Sequence, residues 1–321
     1  MDEMEELDRW LMEGDPWVRF RILLDQHDRR SEADEARSAL LAYPPFQALI
    51  ARVKGPWPPL VSHKSAGHPV HALNFLAHSG LDAEALGLEG LLRGLLERFG
   101  EDHLPQVKMR IGKAYGGQDS EIMAWALCDA PILLDSLAGL GMGEERAVVQ
   151  ATDLLRAMVR ENGWPCRVSP ALGDFRGPGR KDDPCPYATL IMLRLLVRYP
   201  RTARGEEAST GVECLLDLWQ RSREKHPYLF HMGTDFRKLK YPSLWYDILS
   251  VLDVLTQYEA ARSDDRCMEM ARMVRDKADA HGWYIPEAIW MDWRDWDFGQ
   301  KKAPSRGLTF AVRRVLDRME I

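Results

Sequence analysis

From Pro69 to the C-terminus the chain alternates between two hydrophobic patterns. One kind of segment is apolar on nearly every side, the next is apolar on one face and charged on the other, and an irregular stretch with aromatics, Gly and Pro follows. The first such unit runs from "PVHALNFLAHSGL" through "LEGLLRGLLERFG" to the loop "DHLPQVKMRIGKAYGG". The second pairs "SEIMAWALCDAPILLDSLAGLGM" with "EERAVVQATDLLRAMVRENGWP", and the third pairs "CPYATLIMLRLLVRYP" with "TGVECLLDLWQRSREKHP". The fourth pairs "SLWYDILSVLDVLTQYEA" with "SDDRCMEMARMVRDKADAHGWY", and "LTFAVRRVLDRM" closes the chain. A helix apolar all round must be buried, whereas its amphipathic successor needs one covered face. Starts near Pro69, Ser120, Cys185 and Leu244 are spaced by about fifty to sixty-five residues, longer than the repeats of TPR or HEAT arrays.

Ahead of these units the pattern predicts an N-terminal helical cap over residues 1–56. Leu7, Trp10 and Leu11 share a helix face that Gly14 ends, Asp15 and Pro16 open a second helix, and a third runs from Ser31 to Leu41. Strand signals are nearly absent, with "QVKMRI" as the one short extended candidate. No linker interrupts the chain, so residues 1–321 read as a single all-α domain, with repeated helix pairs over 57–321. Such pairs form either an open superhelix or a closed ring with apolar helices inside, and the long aromatic loops favour the ring.

Composition changes this picture little. The content of 45% hydrophobic and 29% charged residues is that of a globular protein. No apolar run reaches the roughly 18 residues of a membrane helix, and the acidic start "MDEMEELDRW" lacks the plan of a secretory signal, which points to the cytoplasm. Five scattered cysteines without a CxxC pair argue against a disulfide framework. A net charge of −6 gives no general drive toward nucleic acid.

The endings "ENGWP" and "AHGWY", each closing an amphipathic helix, resemble repeats of terpene cyclases and protein prenyltransferases, and the resemblance in pattern covers roughly residues 60 to 320. It implies an α/α toroid whose central cavity is lined by inner helices, and binding of isoprenoid-like substrates. The DxDD motif with which class II cyclases protonate an alkene is missing. The zinc-binding DxC of the prenyltransferases is matched by Asp183 and Cys185 in "DDPCPY", but the histidine expected in the next repeat is replaced in "KLKYPSLWYD", leaving His231 as the nearest substitute. Catalytic zinc needs about three protein donors, so zinc is possible but disfavoured; the alternative is that Asp183 caps a helix and Cys185 packs.

Three loops ahead of apolar helices carry cations: Arg176, Arg180 and Lys181; Arg237, Lys238 and Lys240; Lys301 and Lys302. In a ring they would meet at one rim, where Arg forks and Lys charges suit a phosphate or carboxylate head group. Each cation also has an acidic neighbour to pair with, such as Asp182, Asp235 or Asp297. Within the inner helices, "WALCDAP" places Trp125, Cys128 and Asp129 about one turn apart, and "LWYDILSVLD" does the same for Trp245, Tyr246 and Asp247. A carboxylate in an apolar helix must line a polar cavity or meet a partner, which makes Asp129 and Asp247, with Asp183 and Cys185, the candidate catalytic groups. Tyr187 joins the aromatic ligand-binding candidates. His68 with Pro69 reads as a helix entrance, and His63, His71 and His78 lack the spacing of a two-histidine metal face.

Two function classes follow from this sequence. One is a prenyltransferase-like or cyclase-like protein that holds a small apolar or amphiphilic ligand with an anionic head group; the other is a non-catalytic helical scaffold for another protein. Substrate, reaction and oligomeric state are not legible in the residues.

Overall fold

A computed structural model describes residues 3–24, 30–173, 175 and 177–321; Arg176, one of the candidate head-group ligands, lies outside the described residues. Among the described residues the protein is mostly helical, with one two-stranded antiparallel sheet, and so belongs to the all-α class. Four helices open the chain: α1 (Glu3–Met12), α2 (Pro16–Leu24), α3 (Arg30–Ala42) and α4 (Pro44–Lys54). The middle of the chain holds α5 (Pro69–Ala77), α6 (Ala83–Leu86), α7 (Glu89–Leu96), α8 (Ala130–Leu137), α9 (Arg146–Arg156), α10 (Pro186–Leu196), α11 (Pro200–Ala203) and α12 (Glu206–Gln220). The remainder holds α13 (Thr234–Arg237), α14 (Ile248–Leu255), α15 (Glu259–Arg262), α16 (Asp265–Arg275) and α17 (Arg306–Met319). Strands β1 (Val107–Met109) and β2 (Ile122–Ala124) pair between α7 and α8. The chain divides into two compact units, Met1–Ala51 with Thr234–Ile321, and Arg52–Gly233.

In the Arg52–Gly233 unit, α5, α8 and α10 are buried along their whole lengths, as their all-round apolar sequences require. Helix α8 packs between α5 and α10, with α9 against α8 and α10, and α12 against α10. In the other unit α14 packs against α16 and α17, and α17 also meets α1 and α2. There Trp17 meets Phe310 edge-on, and the Arg306 guanidinium lies 4.7 Å from the Trp10 ring centre.

Two inner helices start later than their apolar runs predict. The second begins at Ala130, because the chain ahead of it is not helical: Ile122–Ala124 pairs with Val107–Met109, Ala126 bridges Val168, and Leu127–Asp129 form a turn in which the Asp129 N–H donates to Ala126 O at 2.9 Å. Pro131 in the first turn lacks the N–H that would continue a helix backward through this stretch. The fourth begins at Ile248, where the Asp247 carboxylate accepts the Ser250 N–H at 2.9 Å. Trp125, Cys128 and Asp129, and likewise Trp245, Tyr246 and Asp247, therefore lie on helix entrances rather than on one helix face. Helix α4 is absent from the sequence reading, since Pro44 and Pro45 look like a stop; prolines at the first helical positions instead start it.

The two Gly-Trp turns hold the helices that follow them in the same way. Trp164 donates its backbone N–H to Thr189 Oγ1 at 3.1 Å and accepts the Cys185 N–H at 2.7 Å. One residue further on in its own turn, Tyr284 donates to Thr309 Oγ1 at 3.0 Å and accepts the Ser305 N–H at 2.9 Å. Each aromatic tip reaches back to the end of an outer helix: Trp164 Nε1 donates to Leu155 O at 2.9 Å, and Tyr284 OH to Arg275 O at 3.3 Å. Gly163 carries a φ of +115°, and a Cβ there would stand 2.7 Å from Cys214 Sγ, so glycine is required. Cys185 is thus the structural counterpart of Ser305, each capping its helix through its side chain.

The crossing of α5 and α8 is tied by a buried carboxylate. Asp135, 1% exposed, accepts from Asn74 Nδ2 at 2.7 Å, Arg198 Nε at 2.6 Å and His78 Nε2 at 2.7 Å. Arg198 Nη2 is 3.1 Å from the same His78 nitrogen, but a carboxylate only accepts, so the Nε2 proton points to Asp135 and the Arg198 contact is not a hydrogen bond. Gly139 lets these parts approach: a Cβ there would be 2.7 Å from Ala77 O and 2.8 Å from the Arg198 guanidinium. Burial penalises the Asp135 carboxylate, yet His78 and Arg198 outweigh it and hold its pKa far below the carboxylate range. His78 lies below the ordinary histidine range, through burial and Arg198 against the pull of Asp135.

Both shifts have the same sign for stability. Each folded-state pKa lies below its unfolded value, so the unfolded chain takes up protons first, and stability falls as the pH drops through about 6.5 for His78 and then about 3.9 for Asp135. Asp135→Ala removes three hydrogen bonds to a buried site, and urea unfolding at neutral pH is expected to show a loss of about 3 kcal/mol. A loss below about 1 kcal/mol, the scale of an ordinary surface substitution or a little more, would contradict the role given to Asp135.

Candidate functional site

Adjacent buried helices in the Arg52–Gly233 unit carry chemistry at their N-termini. Asp129 precedes α8 and Cys185 precedes α10, each at the N-cap position. The two helices pack together, and each of these residues stands at the positive end of its own helix dipole. His63 comes from the loop before α5 and places Nδ1 2.8 Å and 3.0 Å from the two oxygens of Asp129. Asp129 is 2% exposed and His63 16%, so this pair is shielded from bulk water. His71 Nε2 meets His63 O at 3.0 Å and fixes the His63 loop, while His68 Nε2 meets Pro58 O at 3.0 Å.

Cys185 is 4% exposed and its sulfur accepts the Ala188 N–H at 3.5 Å. The Cys128 thiol neighbours the same sulfur. Its interaction with Cys185, against the penalty of burial and with the Ala188 and Tyr187 N–H groups and the charge of His63, holds the Cys185 thiol below its ordinary pKa. Cys128 is in turn pushed well up by that interaction and by burial. Burial disfavours the His63 imidazolium, but the Asp129 charge, their hydrogen bond and Cys185 together raise His63 above the ordinary histidine range. His71, by contrast, is driven down to about 4, chiefly by burial. Burial also keeps the Tyr187 hydroxyl protonated.

A thiol with a lowered pKa, an imidazole with a raised one and a carboxylate hydrogen-bonded to that imidazole are the group types a nucleophilic cysteine uses. Ser, Thr, Asp and Asn are the efficient caps, and Ser305 fills the equivalent position with its Oγ 3.0 Å from the Leu308 N–H. Cysteine at position 185 caps more weakly, at 3.5 Å, so capping alone does not account for it.

Phe175 lies beside this cluster, and Gly177–Asp183 run along Cys166 and Tyr228 nearby. The Phe175 ring is 6.4 Å from that of His63, the Gly177 N–H donates to Cys166 Sγ at 3.2 Å, and Tyr228 OH donates to Arg180 O at 3.1 Å. A Cβ on Gly177 or Gly179 would stand 2.9 Å or 2.8 Å from the Tyr228 ring, so this loop lies flat on it. Tyr228 itself has a left-handed backbone, φ +52°, a conformation costly for an aromatic residue. The Arg180 and Lys181 side chains are exposed on the same loop.

Other candidates from the sequence have separate surroundings. Asp183 accepts the Arg180 N–H at 3.4 Å and is not the helix cap, a place taken by Cys185. His231 stacks against His226 at 4.2 Å. Among the described residues no group of three or more His, Cys, Asp or Glu side chains is arranged to hold a metal ion. Trp125 is buried and its indole N–H donates to Asp102. In the other unit, Lys238 pairs with Asp235 at 2.6 Å, and Lys240 lies 4.1 Å over the Trp290 ring and 3.9 Å from Asp247. Arg237, Trp245 and Tyr246 belong to that unit as well.

The sequence reading missed His63 as the partner of Asp129 and Cys128 as the partner of Cys185. Its one usable signal was the position of Cys185 and Asp129 beside prolines at the heads of apolar segments. No protein-family model matches the chain, and no curated protein or solved structure is significantly similar to it, so its site is interpreted from geometry alone.

Proposed function

We propose that this protein is a thiol-dependent acyl-transferring enzyme, with Cys185 as nucleophile, His63 as proton carrier and Asp129 as the group that orients His63. The observation that carries the reading is a cysteine where the equivalent helix has a capping serine, with its pKa lowered beside a raised His63. The Cys185 proton passes to His63, and the sulfur attacks an electrophilic carbonyl carbon. The C–S bond forms as the bond to the leaving group breaks, and that group takes its proton from His63. Water or a second acceptor then cleaves the thioester and regenerates the thiol.

The substrate we assign is the apolar, isoprenoid-like or other long-chain amphiphile expected from the sequence. Phe175, Tyr187 and Tyr228 supply aromatic surface near the cluster, and the exposed Arg180 and Lys181 suit an anionic head group. As architecture we propose the α/α toroid, supported by alternating inner and outer helices and by the repeated clasp at Trp164 and Tyr284. A purely structural scaffold for another protein has no use for a perturbed thiol, which separates the two function classes experimentally.

Cys185→Ser is the informative variant, because Ser305 shows that serine caps this kind of helix. On exposure to nitrophenyl decanoate, intact mass spectrometry is expected to show one decanoyl group on wild-type protein at Cys185. Cys185→Ser is expected to show none while melting at the wild-type temperature. His63→Ala and Asp129→Asn are expected to acylate at least about 100-fold more slowly, the scale of a lost proton carrier. Equal acylation of wild type and Cys185→Ser would contradict the assignment.

The acylation rate is also expected to depend on pH in a defined direction. A lowered thiol pKa makes thiolate available at lower pH, so the rate should rise with a midpoint below the ~8.5 of an unperturbed cysteine. Cys128→Ala removes the neighbour that contributes most to the lowered Cys185 pKa and is expected to move that midpoint upward; an unchanged midpoint would show that Cys128 does not tune the nucleophile.

A further inference from the structure

A groove of about 590 Å³ on the Arg52–Gly233 unit is separate in its lining residues from the thiol cluster. Its volume falls within the roughly 300–1,000 Å³ of small-molecule sites. Helix α7 contributes Gly90 and Gly94, the end of α4 and its following turn contribute Lys54 and Trp57, and Arg98 and Lys108 come from the segments after α7. Three cations and no carboxylate line it. Lys108 has Glu121 at 3.4 Å, both side chains being about half exposed, and among the described residues neither Lys54 nor Arg98 has an ion-pair partner.

Gly90 and Gly94 stand one turn apart, and a Cβ added at either meets nothing within 4 Å. The fold therefore does not require glycine at these two positions, although glycine is a weaker helix former than alanine. What their missing side chains do provide is an unobstructed wall. The half-buried Trp57 indole borders the same groove, its N–H already satisfied by Val53 O at 2.9 Å and its ring edge-on to His68. An aromatic surface and a glycine wall accept a flat apolar body, and lysine and arginine at the margin accept a phosphate or similar anion.

We propose that this groove binds a planar organic anion, an aromatic ring system bearing a phosphate or comparably charged group. The site is independent of the thiol reaction, and its ligand need not be that reaction's substrate. Isothermal titration of the full chain with naphthyl phosphate tests it, with naphthol and inorganic phosphate as the two halves of the probe. Naphthyl phosphate is expected to bind at least about tenfold more tightly than either half, since ring and charge contact different parts of one site.

Lys54→Glu combined with Arg98→Glu is expected to weaken binding by tenfold or more. Gly94→Leu is expected to abolish it by filling the groove, and to leave the melting temperature unchanged or higher. Cys185→Ser is expected to bind like wild type, so a failure of the thiol mechanism would leave this result standing. Absence of naphthyl phosphate binding, equal binding of inorganic phosphate, or unchanged affinity in both groove variants would each overturn the proposal.

Discussion

The first turn of a buried helix presents N–H groups that water cannot reach, and an unpaired one costs about as much as a lost hydrogen bond. Here that demand is met by backbone from elsewhere: Trp164 takes the Cys185 N–H and gives its own to Thr189, so α10 is fixed at its entrance by a distant turn. The same indole ties that turn to the end of α9. One fully buried tryptophan therefore joins an outer helix, a Gly-dependent turn and the next inner helix. Where Cys185 stands, and hence which groups surround its sulfur, depends on this clasp.

Chemistry follows from that placement. Once the heads of α8 and α10 lie together, Asp129 and Cys185 are brought into one shielded volume, and His63 completes it by closing on Asp129. The His63–Asp129 pair sits where a charge is costly unless partnered, and against the penalty of burial the carboxylate helps hold His63 above the ordinary histidine range. The Asp135 cluster uses the same physics for a different end. Its carboxylate has three side-chain donors, so it serves as a tie between helices, whereas the Asp129 cluster holds a thiol near the imidazole.

Much of the helical order could be read from the chain because burial and amphipathicity differ between inner and outer segments. Helices α7, α9 and α16 fall within their predicted stretches, α12 and α17 start ahead of theirs at Glu206 and Arg306, and Cys185 with Pro186 marks a helix head in sequence as in structure. Ser120–Asp129 misled because an apolar run buried as a short strand and turn looks like one buried in a helix. Pro44 and Pro45 misled because proline both ends and begins helices. His63 could not be paired from sequence at all, since its partner lies 66 residues away and local spacing carries no trace of it. Asp235 was legible as a local partner for its basic loop, and Lys238, three residues away, is the cation that pairs with it.

The central claim is that Cys185 and His63 share charge under the control of Asp129, and it makes the two side chains report on each other. The most direct test is the NMR titration of the His63 imidazole in wild type and in Cys185→Ser, with Asp129→Asn as the larger perturbation. His63 is expected to titrate above the ~6.5 of an unperturbed histidine in wild type, lower when the sulfur is replaced by a neutral hydroxyl, and lower again without the carboxylate. The same His63 titration curve in wild type and Cys185→Ser would contradict the account.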